Sequence, residues 1–156
     1  MKKTHSREYP VKQRLQGQWL VPASIQPTTD CDGGTGYSYV LCRFDADAPD
    51  LQYQAEKQVL KQTYAEVLEL GCPIDSLGLR IDCKPKNCAD FAQSLVVWNL
   101  AYAENPNAEV VVRDYVNDNH TITFAEFQVL CQELGAHVAR LRQDRWAAID
   151  ALEVVQ

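Results

Sequence analysis

The sequence contains no run of the roughly 18 consecutive apolar residues that a bilayer-crossing helix needs, so no segment reads as a membrane span. No apolar leader is expected either. Met1-Lys2-Lys3 runs into polar residues, and the chain is expected to begin its life in a cytoplasm. Positive charge is scarce: 15 Lys and Arg stand against 21 Asp and Glu, a formal net charge of −6. That balance argues against general nucleic-acid binding, which depends on neutralising phosphates.

Several site patterns are absent as well. Cys83-x4-Cys88 lacks the tight knuckle and the second pair of a zinc site, and His120 and His137 are scattered. Asp45-x-Asp47-x-x-Asp50 has neither the central glycine nor the distal glutamate of an EF-hand loop; helix capping accounts for these aspartates. Gly33-Gly34-Thr35-Gly36 is not followed by Gly-Lys-Ser/Thr and precedes a strand, which removes the phosphate-cradling reading. A Cys/His nucleophile pair stays open, because such partners meet in space rather than in sequence. No catalytic residue, cofactor or metal is therefore expected.

What is present is enough apolar material for a core. At 156 residues and 46% hydrophobic, the chain suits one domain or two small modules. Six cysteines (Cys31, Cys42, Cys72, Cys83, Cys88, Cys131) sit singly among apolar residues and read as reduced thiols, mostly core filler. Lys2, Lys3, Arg7, Lys12 and Arg14 oppose Glu8 alone in residues 1–16. Such a basic arm on an acidic body suits either docking onto something acidic, a sister subunit included, or simple solvation.

In chain order, residues 1–36 read as an irregular, extended arm, interrupted by Pro10, Pro22 and Pro27. Within it Gln18-Trp19-Leu20-Val21 is a short strand or a segment that plugs onto a neighbour. Residues 37–73 form a strand–helix module. Tyr37 to Phe44 is the strand, Asp47 or Asp50 the cap, and Ala55, Val59, Leu60, Tyr64, Val67 and Leu68 the apolar face. Gly71-Cys72-Pro73 stops that helix.

Residues 74–156 then read β-α-β-β-α. Leu77 to Cys83 alternates as a strand, and Asn87 caps a helix to about Glu104. Between Phe91 and Ala103 there is no charge. Phe91, Leu95, Trp98 and Tyr102 line one face while Val96, Leu100 and Ala103 cover another, so cover is expected on several sides. Strands at Glu109–Tyr115 and His120–Thr123 pair across Asn117-Asp118-Asn119. A right-handed crossover follows if the strands flanking the helix share a sheet. The fold class is thus α+β: a small mixed sheet, two amphipathic helices on it, and a long C-terminal helix.

That last helix opens on a capping box, Thr123-Phe124-Ala125-Glu126. Its ~30 residues span roughly 45 Å, against a diameter of about 40 Å for a compact chain of this length. Phe127, Leu130, Leu134, Val138 and Leu141 make a core stripe. A polar turn, Arg142 to Arg145, separates it from Trp146, Ala148, Ile149 and Leu152. Burying each of the Trp, Ile and Leu is worth on the order of 2 kcal/mol, so a partner helix is expected there, most simply from another copy. The alternative cover is residues 1–36 folding back.

Residues 78–152 resemble a domain found at the C-termini of many tailed-phage tail-fibre and tail-fibre-assembly proteins. The resemblance rests on Asn105-Pro106-Asn107, Arg113-Asp114, Asn117-Asp118-Asn119, Thr121-Ile122-Thr123, Leu134-Gly135-Ala136-His137-Val138 and Arg145-Trp146-Ala147-Ala148-Ile149-Asp150-Ala151-Leu152, in that order. It covers about half of the chain. It implies a non-enzymatic role in phage tail or tail-fibre assembly, in the host cytoplasm and then the virion tail. The implied partners are a tail-fibre or baseplate protein and other copies of the chain, with no nucleic acid and no membrane. The working interface is expected at Trp19, Leu141, Trp146, Ile149 and Leu152. The rivals are a small cytoplasmic thiol- or metal-dependent enzyme or ligand-binding protein using the Cys83–Cys88 loop, and a phage-encoded inhibitor of a host factor.

Overall fold

The computed structural model describes residues 2–6, 8–29, 33–46 and 48–153. Arg7, Cys31 and the expected cap Asp47 lie outside the described residues. The chain is α+β and has, among the described residues, three helices, small antiparallel sheets and a C-terminal helix of 30 residues. Its contacts divide it into two units, residues 1–64 with 145–156, and residues 65–144; the boundaries fall inside the first and third helices.

The first unit is built on a four-stranded antiparallel sheet. Its strands β1 (Thr4–Ser6), β2 (Gln13–Leu15), β3 (Gln18–Thr29) and β4 (Thr35–Phe44) lie in the order β1-β4-β3-β2. The stretch expected to be an irregular arm therefore carries three strands. A two-residue turn makes this possible: Gln16 and Gly17 both take positive φ, the combination that turns one strand tightly into the next. Pro22 is tolerated because β2 covers β3 only as far as Leu20, leaving an edge where a missing N–H costs no ladder bond. Helix α1 (Leu51–Glu69) supplies what that edge lacks. Gln52 Nε2 donates to the Pro22 carbonyl at 2.9 Å, and the Ser24 N–H donates to the Glu56 carboxylate at 2.9 and 3.0 Å. Ser24 is itself at φ 53, in a register shift between Ala23 and Gln26. Val21, Ala23 and Cys42 from the sheet then bury Leu51, Ala55 and Val59 of α1, as the expected apolar face requires. The Asp50 carbonyl accepts the Gln54 N–H, so Asp50 stands where the helix starts.

In the second unit the short strands pair only with their neighbours. β5 (Cys72–Ile74) pairs β6 (Leu79–Ile81), and β7 (Glu109–Arg113) pairs β8 (Asn119–Thr123), both antiparallel. The expected mixed sheet is thus two separate ribbons, and the strands flanking helix α2 (Pro85–Tyr102) share no sheet, so no crossover arises. β7 and β8 pair as read from sequence, but Asn119, expected in the turn, lies in β8 opposite Arg113, and β7 ends at Arg113 rather than Tyr115. Helix α2 begins two residues before Asn87, with Lys84 at the cap position and Pro85 in the first turn, where proline's fixed φ suits a helix start.

Helix α3 (Phe124–Glu153) opens with the expected reciprocal bonds. The Thr123 N–H donates to Glu126 Oε2 at 2.8 Å, and the Glu126 N–H donates to Thr123 Oγ1 at 3.2 Å. The Thr123 N–H and then the Thr123 hydroxyl, which also donates to Glu126 Oε2 at 2.8 Å, hold the Glu126 carboxyl below its ordinary value. From there Phe124, Phe127, Leu130 and Leu134 are buried along one face, and Phe127 meets Trp98 and Phe91 of α2 at ring-centroid distances of 4.5 and 5.9 Å.

The C-terminal end of α1 is closed in the same unit. The Tyr115 hydroxyl donates to the Glu69 carbonyl at 2.7 Å and Arg80 Nη1 donates to the Leu70 carbonyl at 2.7 Å. Both acceptors belong to the turn whose carbonyls have no partner within the helix. Gly71, at φ +72, lets the chain leave, and Tyr115 N–H donates to the Arg80 carbonyl at 2.8 Å.

Candidate functional site

Three expected interface residues lie together in the last turns of α3. Trp146 leaves 56% of its surface exposed, while Ile149 and Leu152 are half-buried. Arg145, next to Trp146, sets its guanidinium 5.2 Å from the Tyr64 ring centre, and its Nε is buried without a hydrogen-bond partner. The other two expected residues are placed differently. Trp19 is a residue of β3, packed against the Val21–Cys42–Ala55 core with Lys12 Nζ 4.5 Å over its ring, not a plug on a projecting arm. Leu141 is half-buried in the second unit, so the five do not form one patch within either unit.

The outer face of α2 is bare, where the sequence predicts cover. Phe91, Trp98 and Tyr102 turn toward Phe124 and Phe127, as expected. At about 100° per residue, Val96, Val97 and Leu100 then lie on the opposite side. They are 63%, 54% and 84% exposed, and no residue of α2 is fully buried. The cover expected on several sides is present on one. The charge-free stretch from Phe91 to Ala103 was the signal, since a helix with no polar face exposes apolar groups wherever packing ends.

Between α2 and α3 a groove of about 240 Å³ is lined by Phe91, Leu95, Leu134 and Val138, with Cys88 and Cys131 in its wall and Arg142 at its margin. The five described cysteines are unpaired thiols. Burial pushes Cys131 up to about 11 and does the same to Cys72, where the neighbouring Cys83 adds to it. Cys42, Cys83 and Cys88 are raised too, again chiefly by burial. Nucleophilic cysteines require the reverse shift.

Polar groups gather at the β7–β8 turn. Asp114 Oδ2 meets His120 Nε2 at 2.9 Å, and Asp114 Oδ1 accepts the N–H groups of Val116 and Asp118 at 3.0 and 2.9 Å. The His120 bond above all, and then the two backbone donors, hold Asp114 below the ordinary carboxylate range, with partial burial opposing them. His137 lies elsewhere, beside Glu133 and Arg140, with Nε2 buried and unpartnered; burial and the Arg140 charge lower its pKa. Among the described residues no cluster of three or more His, Cys, Asp or Glu is arranged to hold a metal ion, and no helix is long and apolar enough to cross a membrane. Comparison with protein-family models, curated proteins and solved structures finds no match to the chain.

Proposed function

We propose that this chain is a non-enzymatic bacteriophage tail or tail-fibre assembly protein acting through protein–protein contacts, with a tail-fibre or baseplate protein as its partner in the host cytoplasm. The observation that carries the reading is Trp146, an exposed indole beside half-buried Ile149 and Leu152 at the end of a long helix. Aromatic anchors of this kind dominate binding energy once a partner excludes water from them. The ordered resemblance of residues 78–152 supplies the biological setting. The thiols weigh against the rival enzyme reading, since burial makes all five less acidic.

The test is co-expression with the tail-fibre and baseplate proteins of the same phage, followed by affinity capture. Wild type retains one of them in fixed stoichiometry, and Trp146→Ala with Ile149→Ala loses it at unchanged circular dichroism. Capture of neither protein by wild type, or equal capture by the double variant, overturns the reading.

A further inference from the structure

We propose that the outer edge of β7 is a strand-addition site, on which a partner protein lays an extended, lysine- or arginine-bearing segment as a third strand beside β7 and β8. It rests on neither Trp146 nor the phage setting.

The alternation of the ribbon fixes which backbone groups are spare. The Asp114 N–H donates to the Asp118 carbonyl and the Phe124 N–H to the Ala108 carbonyl, both in the β7–β8 register. The even-numbered residues of β7 therefore spend their N–H and C=O groups on β8. Glu109, Val111 and Arg113 point theirs the other way, and among the described residues these groups have no hydrogen-bond partner. Each of the three offers a donor and an acceptor, repeating at about 6.8 Å, a pattern that matches another extended backbone. The edge already works this way one step further on, where the Tyr115 N–H donates to the Arg80 carbonyl at 2.8 Å. β7 has no proline, and its pairing shows no register shift, so two common guards of an open edge are missing. Val111, 59% exposed, adds a β-branched side chain for a cross-strand neighbour.

The chemistry of the added strand is set by what stands beside the edge. Arg113, Asp114 and Tyr115 border a cleft of about 550 Å³ together with Asp82, Lys84 and Asp90. Lys84 is held by Glu69 at 2.8 Å and Asp82 at 3.7 Å, Asp114 is held by His120, and Arg113 bonds the neutral Asn119. The Asp90 carboxylate is exposed and has no partner among the described residues. Three carboxylates against two cations favour an incoming cation. A second copy's β7 suits the edge less well. The antiparallel register that uses all three free residues sets Val111 on Val111 and the second copy's Glu109 opposite Arg113. It gains exposed ion pairs of little worth, but brings a fourth carboxylate to the cleft. It also directs the second copy's Asn107 to the place beside Tyr115 that Arg80 fills. A basic segment of another protein meets neither obstacle.

Titration of the full chain with a capped heptapeptide of alternating lysine and valine, read by binding and by amide exchange, tests this. Wild type is expected to bind the peptide saturably below about 1 mM. The amides of Val111 and Arg113 then exchange more slowly, while that of Thr121, which points outward from β8, is unchanged. Val111→Pro removes an outward N–H without touching the β8 ladder, and lowers affinity at least about tenfold at unchanged circular dichroism. The exchange pattern of wild type decides the matter whether or not this variant folds. Asp90→Asn lowers affinity about two- to fivefold, and glutamates in place of the peptide's lysines weaken binding to wild type further. Absence of saturable binding overturns the proposal, and so does protection at Thr121 in place of Val111. Undiminished binding by folded Val111→Pro, by Asp90→Asn or of the glutamate peptide overturns it as well. Slowing of Val111 exchange with chain concentration alone also overturns it, since a second copy then occupies the edge.

Discussion

Gly71→Ala is expected to destabilise the second unit by about 3–6 kcal/mol, a large part of the stability of a small domain. Three costs meet at this position. Gly71 sits at φ +72, and forcing an L-residue with a Cβ into that region costs about 1–2 kcal/mol. The new Cβ would stand 2.9 Å from the Ile81 carbonyl oxygen and 2.8 Å from Tyr115 Cδ2. The carbonyl cannot withdraw, because Ile81 is paired with Cys72 in the β5–β6 ribbon. The ring can withdraw only by lengthening its 2.7 Å hydrogen bond to the Glu69 carbonyl, a loss of about 1 kcal/mol. Overpacking of this kind adds roughly 1–3 kcal/mol. Native-state hydrogen exchange at Val110 and Val112, buried in the same unit, is the assay. Tyr115→Phe serves as control and should cost about 1 kcal/mol, since it removes the hydroxyl and leaves the ring. Adding Tyr115→Ala to Gly71→Ala should cost less than the sum of the single variants, because the ring clash is then gone. If Gly71→Ala leaves exchange within about 0.5 kcal/mol of wild type, the close approach of β5–β6, the β7–β8 turn and the α1 terminus has been misread.

Acid should act first at His137 and then at the carboxylates. His137 has a lowered folded pKa, so its neutral form contributes stability that is complete above its unfolded value near 6.5 and fades as pH falls through the folded one. Asp114 and Glu126 are likewise lowered, and their contributions are complete above an unfolded value near 4 and vanish at still lower pH. The amide resonances of Val116 and Asp118 should titrate with Asp114 and lose that step in Asp114→Asn; a step that survives the substitution refutes the assignment. Alkylation followed by peptide mapping should find Cys42, Cys72, Cys83, Cys88 and Cys131 all slower than an unstructured thiol at neutral pH, and one fast member would revive thiol chemistry.

Local signals were legible and non-local ones were not. The capping box at Thr123 and Glu126, the turn joining β7 to β8, the Gly71 stop and the 30-residue helix each follow from residues within a few positions of one another. The sheet of the first unit escaped because Pro22 and Pro27 read as breakers unless the open flank of β3 is known. That flank is decided by where β2 ends and where Gln52 and Glu56 reach. Sequence order allows β6 and β7 to join one sheet, yet each pairs with its nearer neighbour. At the candidate surfaces, periodicity identified which faces of α2 and α3 are apolar but not which of them packing leaves bare. Trp146 was therefore legible as a candidate, whereas Leu100, more exposed still, was assigned to the interior.

The guarded margins of the first sheet bear on what could add to it. Its outermost strands run three residues each, a proline stands on the long bare flank, and α1 spends an amide and a carboxylate on the polar groups left over there. Little backbone remains to template another strand, the route by which β-proteins grow without limit into fibres. A flank closed in this way ends growth at the sheet's own strands, so the first unit keeps a finite sheet.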